Sequence, residues 1–242
     1  MNRVYCPGLK IVDGRFAISD QEQLHHLRDV LRVNEGDELV IFDGAGQQYR
    51  VSVSAVGAVS VGVRVIEQLK PSGRAVRELA VACAIPKQTK MDDVIDKLTQ
   101  LGVQRIMPMM TERVIVRLDA KKAAQRQSRW EKIALSAVKQ SQRNTLPVVD
   151  KVMDFSQVLA EAQRYPLKLI PALIGERVLL KDACARAATG PALVLIGPEG
   201  DFSPAELKAA LKNGFQPVSL GETVLRVDTA AIATAAYIMF SS

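Results

Sequence analysis

The chain has 242 residues, 48% hydrophobic and 24% charged, with a net charge of +6. That composition excludes a disordered chain and fits a soluble globular protein of one large domain or two ordinary ones. No membrane partner is expected: residues 1–10 lack the apolar core of a signal peptide, and the longest uncharged apolar stretch, residues 229–240, falls short of the roughly 18 residues that span a bilayer.

The first 70 residues read as β-rich. Residues 20–33 (DQEQLHHLRDVLRV) suggest a short helix, with Leu24, Leu27, Val30 and Leu31 on one face and Arg28 and Arg32 on another. A turn over residues 34–37 follows, then three β-branched segments at residues 38–44, 47–56 and 59–69. Asp43-Gly44-Ala45-Gly46 between two of them reads as a hairpin loop. Its G-x-G is no dinucleotide fingerprint, because neither a third glycine nor a helix follows. Residues 70–74 (KPSGR) read as a linker.

Beyond the linker, strands and helices alternate. Residues 78–86 form an apolar strand. Residues 90–102 form an amphipathic helix with Met91, Val94, Ile95, Leu98 and Leu101 inward and Gly102 at its C-terminal cap. Residues 103–110 form another strand. A second helix over residues 128–142 carries Trp130, Ile133, Ala134 and Ala137 inward and basic residues outward. Three more strands, residues 167–174, 192–200 and 217–221, with helices between and after them, argue for a mostly parallel sheet covered by helices.

All the excess charge lies in residues 71–152. Arg113, Arg117, Lys121, Lys122, Arg126, Arg129, Lys132, Lys139 and Arg143 stand against only Asp119 and Glu131 in residues 113–143. Such a stretch attracts a polyanion, although a solvated helix face explains the composition equally well. Cys6, Cys83 and Cys184 are odd in number and far apart, which suits a reducing cytoplasm and offers no zinc site. His25 and His26, the only histidines, read as packing and surface residues; no metal, serine-hydrolase or Cys/His motif is present.

Ligand sites in open parallel sheets lie beyond the carboxyl ends of strands. Three loops leave such ends: residues 171–175, 197–202 and 221–228. In Gly197-Pro198-Glu199-Gly200-Asp201-Phe202, the next residues already cap a helix: Ser203 as cap, Pro204 in the first position, Glu206 completing a capping box. With its amides spoken for and two acids nearby, this is no phosphate loop. The glycines permit close backbone approach to a flat ligand, and the carboxylates favour a cationic one; a tight turn with solvated acids is the plain alternative. Further on, Arg226 precedes an alanine-rich helix expected to be capped by Asp228 or Thr229. Arg226 suits a surface ion pair, or a substrate phosphate or carboxylate.

Residues 25–49, 90–117, 129–149, 195–206 and 220–236 carry, in order and spacing, a resemblance to the RsmE family of ribosomal RNA methyltransferases in the SPOUT superfamily. Gln100, residues 222–224 and Asp228 depart from the usual pattern. The resemblance implies an α/β protein: an N-terminal PUA-like β-barrel over residues 1–70 and a C-terminal SPOUT parallel-sheet domain over residues 74–242, threaded as a deep trefoil knot. It implies a homodimer with its active site at the subunit interface, S-adenosyl-L-methionine as cofactor, and 3-methyluridine in small-subunit (16S) ribosomal RNA as product, within the assembled or assembling 30S subunit. By motif match the cofactor contacts are Leu173, Ile196, Gly197, Glu199, Gly200, Leu220, Gly221 and Leu225. Arg226 is the candidate for stabilising the uridine anion or holding a phosphate, and Glu199 for a base or for orienting the cofactor. Arg3, Arg15, Arg28, Arg32, Arg113, Arg117, Arg129, Lys139 and Arg143 are the candidate RNA contacts. A non-catalytic RNA-binding protein would leave the acidic glycine loop unexplained, a small-molecule enzyme would not need the basic stretch, and a SPOUT enzyme acting on another RNA remains the rival nearest in chemistry.

Overall fold

The computed structural model describes residues 1–70, 77–87, 89–114, 118–173, 175–186 and 190–241. Arg117 and most of the expected linker lie outside the described residues. The chain divides into two compact units: Met1–Arg74 with Val138–Leu146, and Ala75–Ala137 with Pro147–Ser242.

In the first unit, strands β1 (Asn2–Tyr5), β2 (Arg15–Ile18), β3 (Glu38–Phe42), β4 (Gln48–Val56) and β5 (Val61–Gln68) form one sheet in the order β1-β3-β4-β5-β2. Only the β1–β3 pair is parallel. Alternate residues of β3, β4 and β5 (Leu39, Ile41, Val51, Val53, Val61, Val63) bury one face with Leu24 and Leu27. Two register shifts in the β4–β5 pair are the kind of irregularity that bends a strand. The expected helix over residues 20–33 breaks in two. Asp20 caps α1 (Gln21–His25), and a wider π-type turn runs over His26–Val30, after which Arg32 sits in the left-handed region at φ 52°.

Val138–Leu146 joins this unit although it lies far beyond the expected boundary. Its partners explain why. Arg3 donates to the Arg143 carbonyl at 3.0 Å, the Asn144 side chain donates to the Gly46 carbonyl at 2.8 Å, and the Leu146 N–H donates to the Gly44 carbonyl at 2.8 Å. Gly44, at φ 77°, has no room for a Cβ, which would come within 2.7 Å of Leu146 and 2.9 Å of Tyr5.

In the second unit, strands β6 (Leu79–Ala84), β7 (Arg105–Met110), β8 (Val148–Val149), β9 (Met153–Asp154), β10 (Leu167–Pro171), β11 (Val178–Leu179), β12 (Ala192–Ile196) and β13 (Gln216–Ser219) form one sheet. Its order is β11-β13-β10-β12-β6-β7-β8, with β9 also on β7, and every pairing is parallel. β6 shows why its sequence is an unbroken apolar run. Leu79, Val81 and Cys83 enter one core, while Ala80, Ala82 and Ala84 enter the other. Helices α2 (Lys90–Leu101), α3 (Ala120–Gln140), α5 (Leu180–Arg186) and α7 (Val227–Phe240) contribute to the first core, and α4 (Phe155–Glu161) and α6 (Pro204–Lys212) to the second. Gly102 ends α2 in the left-handed conformation, as expected. α3 starts eight residues earlier than its apolar stripe suggested, at Ala120.

On β7, Arg105 donates to Asp150 and to Glu161, each at 2.7 Å, with all three side chains largely shielded from water. The hydrogen bond from Arg105 holds the Glu161 carboxyl below its ordinary value. A depressed carboxyl adds stability above its unfolded-state pKa, and that stability is lost as pH falls through the folded-state value. Acidification below about pH 4.5 should therefore erode stability. Arg105→Gln should reduce that slope, leaving the smaller part that Arg164 supplies from 3.2 Å, and cost about 2 kcal/mol at neutral pH; denaturant titrations at several pH values measure both.

Candidate active site

Three loops leave neighbouring strands at one end of the second unit's sheet: after β10, after β12 and after β13. Between them lies a cavity of about 240 Å³. Ile196, Val218, Leu220, Leu225, Val227 and Ala230 give it apolar walls, and Arg177, Glu199, Asp201 and Arg226 are its charged lining residues. All the sequence-assigned cofactor positions line it except Gly200. Leu173, Glu199, Gly221 and Arg226 are exposed, Ile196 is buried, and Gly197, Leu220 and Leu225 are half-buried.

Local chemistry fixes each wall. At Gly197 a Cβ would lie 2.9 Å from the Phe202 ring, so only glycine lets the chain pass. The capping box forms: the Glu206 N–H donates to Ser203 Oγ, and the Ser203 N–H donates to the Glu206 carboxylate at 2.9 Å. Glu206 also accepts the Glu112 N–H at 2.8 Å, a contact no local pattern announces.

The two acids of this loop differ. Asp201 sits at φ 57°, accepts the Phe202 N–H at 2.8 Å through one oxygen and the Leu173 N–H at 3.1 Å through the other. It therefore clips the β12 loop to the β10 loop. Among the described residues, Glu199 has only a long contact from the Lys87 N–H, at 3.4 Å. Behind the loop, burial pushes the Cys83 thiol up to about 12, with Asp228 and Glu199 adding to the effect, so this cysteine is an inert core residue.

Arg226 itself occupies the N-cap position of α7, and its carbonyl accepts the Ala230 N–H at 2.8 Å. The expected caps, Asp228 and Thr229, thus lie inside the helix, one turn boundary earlier than local propensity suggested.

The candidate RNA contacts separate into two kinds. Arg15, Arg28 and Arg32 are exposed, Arg28 with one bond to the Ala58 carbonyl at 2.8 Å, and Lys139 is half-buried; these four belong to the first unit. Others are committed elsewhere. The Arg3 guanidinium lies 5.0 Å over the Phe42 ring and burial lowers its pKa. Burial also lowers that of Arg143, whose guanidinium donates to Thr145 Oγ1 at 3.3 Å. In the second unit, Arg113 donates to the Gly200 carbonyl at 2.7 Å and so steadies the glycine loop from outside. Arg129 pairs with Asp92 at 2.7 Å, and Asp92 also accepts the Trp130 indole N–H.

Sequence reasoning missed Arg177, which lines the cavity from the loop after β10, two residues beyond the stretch flagged at that strand end. It also missed Thr223 and Val224, which lie inside the flagged third loop but carry no charge to mark them.

A parallel sheet covered on both faces, with a largely apolar cavity beyond three adjacent strand ends, defines an α/β domain with its candidate ligand site at the carboxyl ends of its strands. The sequence matches the RNA methyltransferase domain over residues 74–239 and the RNA methyltransferase PUA domain over residues 18–64. It is 30% identical to ribosomal RNA small subunit methyltransferase E of Bacillus subtilis over 216 residues, 87% of this chain and 84% of that one. The Rickettsia conorii protein of the same name is 29% identical over 98% of this chain and 94% of its own. The crystal structure of ribosomal RNA small subunit methyltransferase E from Neisseria gonorrhoeae, bound to S-adenosyl methionine, superposes with a TM-score of 0.87 and 28% identity over 100% of this chain and 98% of that one. The chain belongs to the ribosomal RNA small subunit methyltransferase E family.

Proposed function

We propose that the protein transfers the methyl group of S-adenosylmethionine to N3 of a uridine in small-subunit ribosomal RNA, in the cytoplasm, within the assembled or assembling 30S subunit. The observation that carries this reading is the cavity itself, where the family-matched residues of three loops meet around apolar walls. Its residues fit the cofactor: aliphatic side chains for the adenine, close backbone approach at Gly197 and Gly221, and a carboxylate, Glu199, with no strong internal bond to break among the described residues.

When bound, S-adenosylmethionine supplies a methyl group on a sulfonium, which leaves by in-line displacement, so most of the catalysis is positioning. The uridine N3 lone pair forms the new bond, and the N3 proton must depart. Glu199, exposed at the rim, accepts that proton, and Arg226 stabilises the negative charge that develops on the base. The target base must be splayed from its stack to reach the rim.

The same reading carries a trefoil knot and a homodimer. Support for the homodimer comes from α7, whose outward residues Ala233, Tyr237 and Phe240 are apolar, with Phe240 75% exposed. A helix apolar on every side needs a partner surface, and a second copy supplies one. Among the described residues no helix is long and apolar enough to cross a membrane.

RNA grip rests on Arg15, Arg28, Arg32 and Lys139 of the first unit, with Arg113 and Arg129 of the second as weaker contributors because of their internal bonds. Four such phosphate contacts should lower affinity about a hundredfold between roughly 50 and 200 mM salt. Filter binding with small-subunit RNA across that range tests this part; a flat response contradicts it.

A further inference from the structure

The charged groups of the cavity do not all face the same task. Asp201 is spent on two backbone N–H groups. Glu199 and Arg226 sit on the β12 and α7 sides, in stretches that carry the family resemblance. Arg177 lines the same cavity from the segment between β10 and β11, outside the stretches that carry that resemblance, and the proposed reaction gives it no part. Its Nη1 donates to the Ala172 carbonyl at 2.9 Å, which pins one corner of the guanidinium to the turn leaving the sheet. The Ala172 N–H in turn points to the Val218 carbonyl at 3.4 Å, on the neighbouring strand β13. The rest of the fork, Nε and Nη2, has no carboxylate partner among the described ion pairs. Arg177 is also exposed, so its charge needs no internal counterion.

A guanidinium anchored at one corner, at the edge of an apolar cavity, matches a planar carboxylate that stays partly in water. The cofactor has one such group, at the end of its methionine tail. We propose that Arg177 clamps the carboxylate of S-adenosylmethionine and thereby selects the amino-acid-bearing cofactor over nucleosides that lack the group. The inference rests on the cofactor reading. No proton or bond changes hands at Arg177; it is a specificity residue, separate from the reacting atoms.

The test compares two ligands that differ only in this group: S-adenosylmethionine and its decarboxylated form, which keeps the sulfonium, the amine and the nucleoside. Calorimetry on the full chain gives both dissociation constants. The wild type should prefer S-adenosylmethionine about tenfold, the scale of one charge-assisted bond. Arg177→Gln should lose about that factor for S-adenosylmethionine, leave the decarboxylated ligand unchanged, and so erase the preference. Arg177→Lys should restore part of it. Arg226→Gln should retain the preference. Equal losses for both ligands in Arg177→Gln would make the residue a mere loop anchor and overturn the proposal. So would an unchanged preference in that variant, or a preference that disappears in Arg226→Gln instead. If the wild type binds neither ligand, the cofactor reading fails first, and the proposal with it.

Discussion

Asp201→Ala is expected to weaken S-adenosylmethionine binding about a hundredfold and to lower folding stability by about 2–4 kcal/mol. Both oxygens of this carboxylate accept backbone N–H groups, from Phe202 and Leu173, and they come from two different walls of the cavity. Alanine strands both donors. It must also hold φ 57°, a conformation that aspartate tolerates and alanine resists. The walls then part, and apolar surface that should face the adenine meets water. Asp201→Asn keeps one acceptor oxygen and the backbone tolerance, so it should lie between the two. Denaturant unfolding and calorimetry read the two effects separately. Cofactor affinity within threefold of wild type would show that the clip does not shape the site.

Glu199→Gln should behave in the opposite way. The side chain is exposed and its only internal contact among the described residues is long, so stability should change by less than about 0.5 kcal/mol. Turnover should fall by more than about tenfold, because a positioned base contributes at least that much and glutamine cannot take the proton. Cofactor affinity should fall by a smaller factor than turnover, because glutamine keeps the shape of the side chain and loses only the charge that favours the sulfonium. Single-turnover methyl transfer at saturating cofactor, beside a melting curve, measures the pair. Normal turnover removes Glu199 from the proton transfer and leaves the carboxylate without a role in the chemistry. Two acids two residues apart are thus expected to carry opposite signatures: one holds the loop, and the other is the proposed proton acceptor.

That difference was not legible in the sequence, where both acids looked like partners for a cation. It depends on which backbone N–H groups the fold delivers, and Leu173 reaches Asp201 from 28 positions away. What is local could be read. The capping box at Ser203 and Glu206, the left-handed cap at Gly102 and the apolar run of β6 depend on neighbours in the chain, and the structure contains them all. The start of α3 escaped because residues 120–127 have no large apolar side chain to set a period; only their helix-forming composition marked them. Strands β8, β9 and β11 have two residues each, too few to show alternation. The return of Val138–Leu146 to the first unit rests on bonds between backbone groups and on Arg3, a residue that sequence alone assigned to RNA. An arginine stacked on Phe42 and bonded to a carbonyl spends much of its bonding capacity inside the fold.

The central claim is tested most directly by methyl transfer from labelled S-adenosylmethionine to small-subunit particles, with free small-subunit RNA and transfer RNA as parallel substrates, followed by nucleoside analysis. The account predicts label in 3-methyluridine from the small subunit and none in transfer RNA. Label on another nucleoside, or on transfer RNA alone, would contradict the proposed substrate while leaving the cofactor site in place.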